Sequence, residues 1–130
     1  MKIILMALLL GISTCVAAEW RLVTTSQAGD QFYVEPSFIK SDGGYIRVWS
    51  MMNYAKPIGD EIKSVKELSM FDCRGGRTKV LQTSYYSSPG GNSAPMGAPV
   101  EPSPPYDRWV YVAPDTAWNT VFNYACRGGR

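Results

Sequence analysis

The sequence predicts an α+β fold: a five- to six-stranded antiparallel sheet with one C-terminal helix packed on it and tied by a disulfide. Three observations lead there. Short β-rich stretches separated by Gly, Pro and Asp turns recur from Trp20 to Val112. The apolar residues then switch to helical spacing in the last stretch. Two cysteines, Cys73 and Cys126, remain once an N-terminal leader is set aside.

The leader comes first in the chain. Met1-Lys2 is a basic start, Ile3 to Ile12 is apolar apart from Gly11, and Ser13-Thr14-Cys15-Val16-Ala17-Ala18 ends in a Val-x-Ala pattern. This reads as a secretory signal peptide cleaved after Ala18. The apolar run is too short to span a bilayer, which takes about 20 residues. An alternative is lipidation of Cys15 after Ile12-Ser13-Thr14. Residues 1–18 are thus a signal peptide and 19–130 a single domain, 112 of the 130 residues. No second apolar run follows, so no transmembrane helix is expected in the mature chain. The domain holds 12 Lys+Arg, since Lys2 leaves with the leader, against 11 Asp+Glu. With that near balance no global field draws it to nucleic acid.

An exported chain folds in an oxidising compartment, where an even pair of cysteines reads as a disulfide. A metal or redox site would need more ligands, and the sequence has no His and no Cys-x-x-Cys. A Cys73–Cys126 bond closes 53 residues of chain, a constraint of roughly 4 kcal/mol on the chain-entropy model.

The elements follow in order. Trp20 to Thr25 and Gln31 to Val34 read as strands around an Ala28-Gly29-Asp30 turn. Pro36 ends the second, and Pro36 to Lys40 reads as one helical turn. After Asp42-Gly43-Gly44, Tyr45 to Tyr54 carries Ile46, Val48 and Met52 on one face and Tyr45, Trp49 and Met51 on the other. That pattern suits a central strand with bulk on both sides. Lys56 to Asp60 reads as a loop. Lys63 to Cys73 and Thr78 to Tyr86 form a hairpin in which a two-residue Gly75-Gly76 turn sets Arg74 opposite Arg77 and Cys73 opposite Thr78. Residues 87–105 hold six prolines and no periodicity, and read as a mobile Pro/Gly-rich loop. Tyr106 to Val112 returns to strand. Asp115 is placed to cap a helix with Trp118, Val121, Phe122 and Ala125 on its apolar stripe, ended by Gly128. The four tryptophans, Trp20, Trp49, Trp109 and Trp118, read as packing residues.

No catalytic residues, metal ligands or cofactor site emerge. The lack of His removes Ser-His-Asp and Cys-His systems. Ser37-Phe38-Ile39-Lys40 matches a Ser-x-x-Lys spacing, but its companion Ser-Asp-Asn and Lys-Thr-Gly motifs are missing. The glycine pairs lack phosphate-loop spacing. One binding constellation stands out. A Cys73–Cys126 bond would bring together two copies of Cys-Arg-Gly-Gly-Arg, gathering Arg74, Arg77, Arg127 and Arg130. Guanidinium forks suit sulfate, phosphate and carboxylate groups, so a polyanion is the ligand such a patch would take; the alternative is four solvated surface arginines, with Arg130 a frayed terminus.

Several stretches together resemble the surface-adhesin protein E family of exported bacterial proteins. They are Tyr33-Val34-Glu35-Pro36-Ser37, Gly44 to Trp49, Asn53-Tyr54 with Pro57, Ser64-Val65-Lys66, Phe71-Asp72-Cys73, Tyr85-Tyr86-Ser87, and Trp109 through Pro114-Asp115-Thr116 to Ala125-Cys126. The resemblance implies a small antiparallel sheet with a disulfide-held C-terminal helix. It also implies adhesion at the cell surface to extracellular-matrix proteins or anionic glycans. A periplasmic structural or envelope-maintenance role without an external ligand stands as the alternative, and a small hydrolase is the third. Location at the periplasm or outer surface, and a homodimer, are both compatible with the sequence.

Overall fold

The computed structural model describes residues 11–12 and 19–130. The expected leader, its cleavage position and the alternative lipid site at Cys15 fall outside the described residues. Among the described residues seven strands are all antiparallel: β1 (Arg21–Thr25), β2 (Gln31–Val34), β3 (Lys40–Asp42), β4 (Tyr45–Ile58), β5 (Ile62–Asp72), β6 (Arg77–Tyr86) and β7 (Val110–Tyr111). The sheet order is β1-β2-β4-β5-β6-β7, with β3 alongside the start of β4. Helix α1 (Ala117–Cys126) closes the fold. The disulfide is formed, with the Cα atoms of Cys73 and Cys126 5.7 Å apart.

Register explains the layers. Met52 pairs with Phe32 and Val65, Val48 with Ser69, and Ile46 with Phe71, so these side chains share one face. Helix α1 covers that face. Its Val121, Phe122 and Ala125 pack with Phe32, Val34, Val48 and Phe71. Phe71 is fully buried and meets Trp118 edge-on at 5.6 Å and Phe122 at 5.2 Å. Tyr45, Arg47, Trp49, Lys66, Leu68 and Met70 occupy the alternate positions and face away from the helix.

The ends of α1 are set locally. Thr116, rather than Asp115, is the N-cap: its hydroxyl accepts from Asn119 N at 3.1 Å. Asp115 instead takes the left-handed conformation (φ 58°) one step earlier. At the C-terminus Gly128 N donates to Ala125 O and Gly129 N to Tyr124 O, the paired bonds of a Schellman ending, with Gly128 at φ 74°. Gly129 lies against Pro36, where an added Cβ would come within 2.8 Å of the proline ring.

Other expectations shift. The Gly75-Gly76 turn is four residues long, Cys73 to Gly76, because Asp72 pairs with Arg77 and Phe71 with Thr78. Only Gly76 of the glycine pair has positive φ, whereas a primed two-residue turn of type I′ needs it at both positions. The Asp72 carboxylate sets the wider turn by accepting from Gly75 N at 2.9 Å, while Asp72 O accepts from Gly76 N. Cys73 therefore leaves the ladder and is free to reach the helix. Two successive residues with positive φ occur instead at Gly59-Asp60, in a three-residue loop from Gly59 to Glu61 where Glu61 N donates to Ile58 O. There β4 runs on to Ile58, past the expected loop at Lys56, and pairs Ile58 with Ile62. The helical turn after Pro36 stops at Phe38, and Lys40–Asp42 becomes β3, paired along Tyr45 to Arg47. The last expected strand shrinks to Val110–Tyr111. Residues 87–105 contain a 3-10 turn at Pro89–Gly91, then bridges from Pro95 to Tyr86 and from Val100 to Thr83 along the outer edge of β6.

Candidate functional site

The four arginines singled out above are placed differently from one another. Arg77 lies at the start of β6 on the face away from the helix. Its Nε donates to Asp72 Oδ2 at 2.9 Å, and its guanidinium lies 4.7 Å over the Trp109 ring. Trp109 in turn packs at a tilt against Tyr45, with ring centres 5.0 Å apart. The Arg77 side chain beside it, then the Gly75 amide, hold the Asp72 carboxyl below its ordinary range. Arg74 is exposed in the turn, one residue from the disulfide. Arg127 and Arg130 lie beyond the helix, on its side of the sheet. The Nε of each donates to the main-chain oxygen of the other, at 3.2 and 3.4 Å. Arg74 and Arg127 each follow a cysteine of the disulfide in sequence, while Arg77 is held by Asp72 and Trp109.

The Ser37–Lys40 pair does not meet as a nucleophile and base. Ser37 Oγ donates to the buried Glu35 carboxylate, and Lys40 points to the open face of the sheet. Among the described residues no cluster of three or more acidic, Cys or His side chains is placed to hold a metal ion. No helix among them is long and apolar enough to cross a membrane.

The richest surface lies on the side of the sheet that the helix leaves uncovered. Two hollows adjoin there. One, of about 340 Å³, is lined by Trp20, Phe38, Trp49, Lys66, Gln82, Ser84 and Tyr86. The other, of about 280 Å³, is lined by Phe38, Lys40, Arg47, Trp49 and Leu68. Phe38 and Trp49 belong to both, so the two form one trough.

Local structure builds each wall. The alternation of β4 sends Arg47 and Trp49 outward, β5 supplies Lys66 and Leu68 beside them, and β6 adds Gln82, Ser84 and Tyr86. Pro36–Phe38 turns the chain so that Phe38 stands over the sheet, 43% exposed. Lys66 lies 4.7 Å from the Tyr86 ring centre and 5.7 Å from that of Trp20, and its ammonium donates to Gly91 O at 3.4 Å. Burial lowers its pKa below the usual lysine value. The 3-10 turn after β6 is stapled beneath it. Gly90 N donates to Asn53 Oδ1 at 2.6 Å, Gly91 N to Ser64 Oγ at 2.9 Å, and Ser64 Oγ to Ser88 O at 2.6 Å.

Charge on this face is one-sided. Its strand positions carry Lys40, Arg47, Lys66, Arg77 and Lys79 against Asp42 and Asp72. Both carboxylates are taken, Asp42 by Arg47 at 2.6 Å and Asp72 by Arg77. Three lysines are left over on a face that the whole-chain balance of charge conceals.

The four tryptophans pack in different places. Trp118 packs with the core, whereas Trp20 and Trp49 line the trough and Trp109 carries Arg77. The signal was the second bulky face of Tyr45 to Tyr54. A strand with apolar bulk on both sides needs a second covering layer or a use for the uncovered one.

Comparison with known proteins agrees with the fold. No curated protein matches the chain in sequence. Protein E of Haemophilus influenzae superposes with a TM-score of 0.57 at 18% identity, over 88% of this chain and 89% of that one. Protein E from non-typeable Haemophilus influenzae gives 0.56 at 18% identity, over 89% and 81%. At such identity the likeness establishes the fold. The sequence profile of surface-adhesin protein E, however, matches residues 20–127, nearly the whole described domain, and by that match the chain belongs to the surface-adhesin protein E family.

Proposed function

We propose that this protein is a non-enzymatic, adhesin-like binding module of the outer cell surface, and that the uncovered face of its sheet is the recognition surface. The observation that carries this reading is the trough: aromatic rings interleaved with lysines whose charge no carboxylate on that face offsets. Its ligand is an anionic polymer of the extracellular matrix, either a glycan or an acidic protein segment. Arg74, Arg127 and Arg130, near the disulfide, form an outlying contact for the same polymer. In this reading the leader, residues 1–18, is removed and residues 19–130 carry the binding domain.

Protease shaving of intact cells, followed by adherence of the cells to immobilised matrix, tests both parts. The protein is expected to be lost on shaving, and cells carrying Trp49→Ala are expected to adhere poorly. Protection from protease in intact cells, with release only after the outer membrane is opened, would favour the periplasmic interaction role instead. A heparin column tests the outlying contact, where Arg74→Ala/Arg127→Ala is expected to elute at lower salt than the wild type.

A further inference from the structure

Resting on the open-face reading above, we infer that the trough is a two-subsite site for an acidic oligosaccharide, in which sugar rings lie on Trp49 and Phe38 and their carboxylate or sulfate groups meet Lys66 and Lys40. Four features point to a glycan. First, the two hollows repeat one composition. Each has an aromatic wall and a cation, and the wall between them is the shared Trp49–Phe38 pair. A ligand of repeating units fits a repeated site.

Second, a pyranose ring has an apolar C–H face and a polar rim, and the larger hollow offers both partners. Trp20 and Trp49 supply flat apolar area over the buried Tyr86 ring, and Gln82 supplies a side-chain donor and acceptor. Third, the cations are held in place. Lys66 is fixed between Tyr86, Trp20 and Gly91 O, so little side-chain freedom is lost when an anion binds. Its contact with Gly91 O is a long one that a carboxylate or sulfate oxygen can replace with a charge-assisted bond.

Fourth, the trough lies on the sheet's face and not at an edge. An extended peptide gains much of its affinity by adding a strand to an open edge, whereas most of the trough's lining comes from β4, β5 and β6, each with a neighbouring strand on both sides. From Arg47 to Met51, opposite Lys66, β4 advances about 13 Å, a length that receives a short oligosaccharide. The combined volume is in the ordinary range of small-ligand sites, about 300–1,000 Å³.

Titration calorimetry on the oxidised 19–130 chain tests this with three probes: a heparin-derived hexasaccharide, a hyaluronan hexasaccharide and neutral cellohexaose. At least one acidic hexasaccharide is expected to bind and cellohexaose is not. Trp49→Ala and Lys66→Gln are each expected to weaken binding at least about tenfold, or about 1.4 kcal/mol. Lys40→Gln, at an exposed position that does not hold the fold, should weaken it in the same direction. Lys63→Gln, a loss of the same charge outside the trough, should leave it unchanged.

Near-ultraviolet circular dichroism separates loss of binding from loss of fold in each variant. The inference falls if neither acidic hexasaccharide binds, if cellohexaose binds equally well, or if Lys63→Gln weakens binding as much as Lys66→Gln. Should Trp49→Ala abolish cell adherence while no hexasaccharide binds or competes, the open face stands as the recognition surface. An acidic protein would then be its ligand, and the oligosaccharide site is overturned.

Discussion

The two faces of the sheet are built from the same strands and do opposite things. On the covered face Val34, Val48 and Phe71 have no exposed surface and meet Val121, Phe122 and Ala125 of the helix. On the open face the rings of Trp20, Trp49 and Tyr86 stand beside Lys66, and those of Tyr45 and Trp109 beside Arg77. Strand β4 alone supplies Ile46, Val48 and Met52 to one face and Tyr45, Arg47 and Trp49 to the other. Apolar bulk covered by a second layer contributes chiefly to stability. Aromatic bulk interleaved with cations and left uncovered is suited to recognition. A substitution on one face should therefore move one property and spare the other.

The sharpest break is on the covered face. Phe71→Ala removes a fully buried ring that touches two others. It is expected to cost about 3–5 kcal/mol in urea unfolding. Next comes the pair Cys73→Ser/Cys126→Ser, which frees a chain segment of 53 residues and should cost up to about 4 kcal/mol. Held below its unfolding transition, this variant should still bind the acidic hexasaccharide, because the bond lies on the helix side. Loss of binding in folded, disulfide-free protein would mean that the faces are coupled.

Smaller effects belong to the open face. Gly91 has φ 61°, and an added Cβ would collide with Lys66 Cε. Gly91→Ala is therefore expected to cost about 1 kcal/mol for the left-handed backbone alone. It should also push Lys66 out of place and weaken hexasaccharide binding without touching the core. Equal binding by Gly91→Ala and wild type would show that Lys66 need not be held where it is. Trp49→Ala should change stability far less than Phe71→Ala does, since one side of Trp49 already faces solvent.

Much of this plan was legible in the sequence because its signals are local. The period-two alternation of Tyr45 to Tyr54, the helical spacing of Trp118, Val121, Phe122 and Ala125, and the cysteine pair each carry their own periodicity or chemistry. What was missed depends on nonlocal facts. Gly75-Gly76 looks like a two-residue turn until Asp72 is seen accepting from Gly75 N and pairing with Arg77. The four arginines look equivalent until Asp72 and Trp109 are seen to hold Arg77. Trp49 and Val48 are adjacent apolar residues, and alternation assigns them to opposite faces. Only the position of the helix decides which becomes core. The trough has no sequence motif, because Phe38, Trp49, Lys66 and Tyr86 come from four different segments.

Two carboxylates carry the comparison into pH. Glu67 is on the covered face, and burial raises its pKa above the ordinary glutamate value, only partly offset by the bond from Ser69 Oγ at 3.2 Å. A folded-state pKa above the unfolded one contributes stability that is present in acid and lost as pH rises through the raised value. Asp72, on the open side, is held below its ordinary value by Arg77 and then by the Gly75 amide. Its contribution is present above the ordinary aspartate value and lost as pH falls through the lowered one. On acidification from neutral pH the urea midpoint should first rise, as Glu67 takes up a proton, and then fall, as Asp72 does. Glu67→Gln should flatten the first limb and Asp72→Asn the second, the smallest effects predicted here. A first limb that persists unchanged in Glu67→Gln would place that carboxylate in water. The covered face would then end short of Glu67, with Trp118 and Met52 at its margin and not inside it.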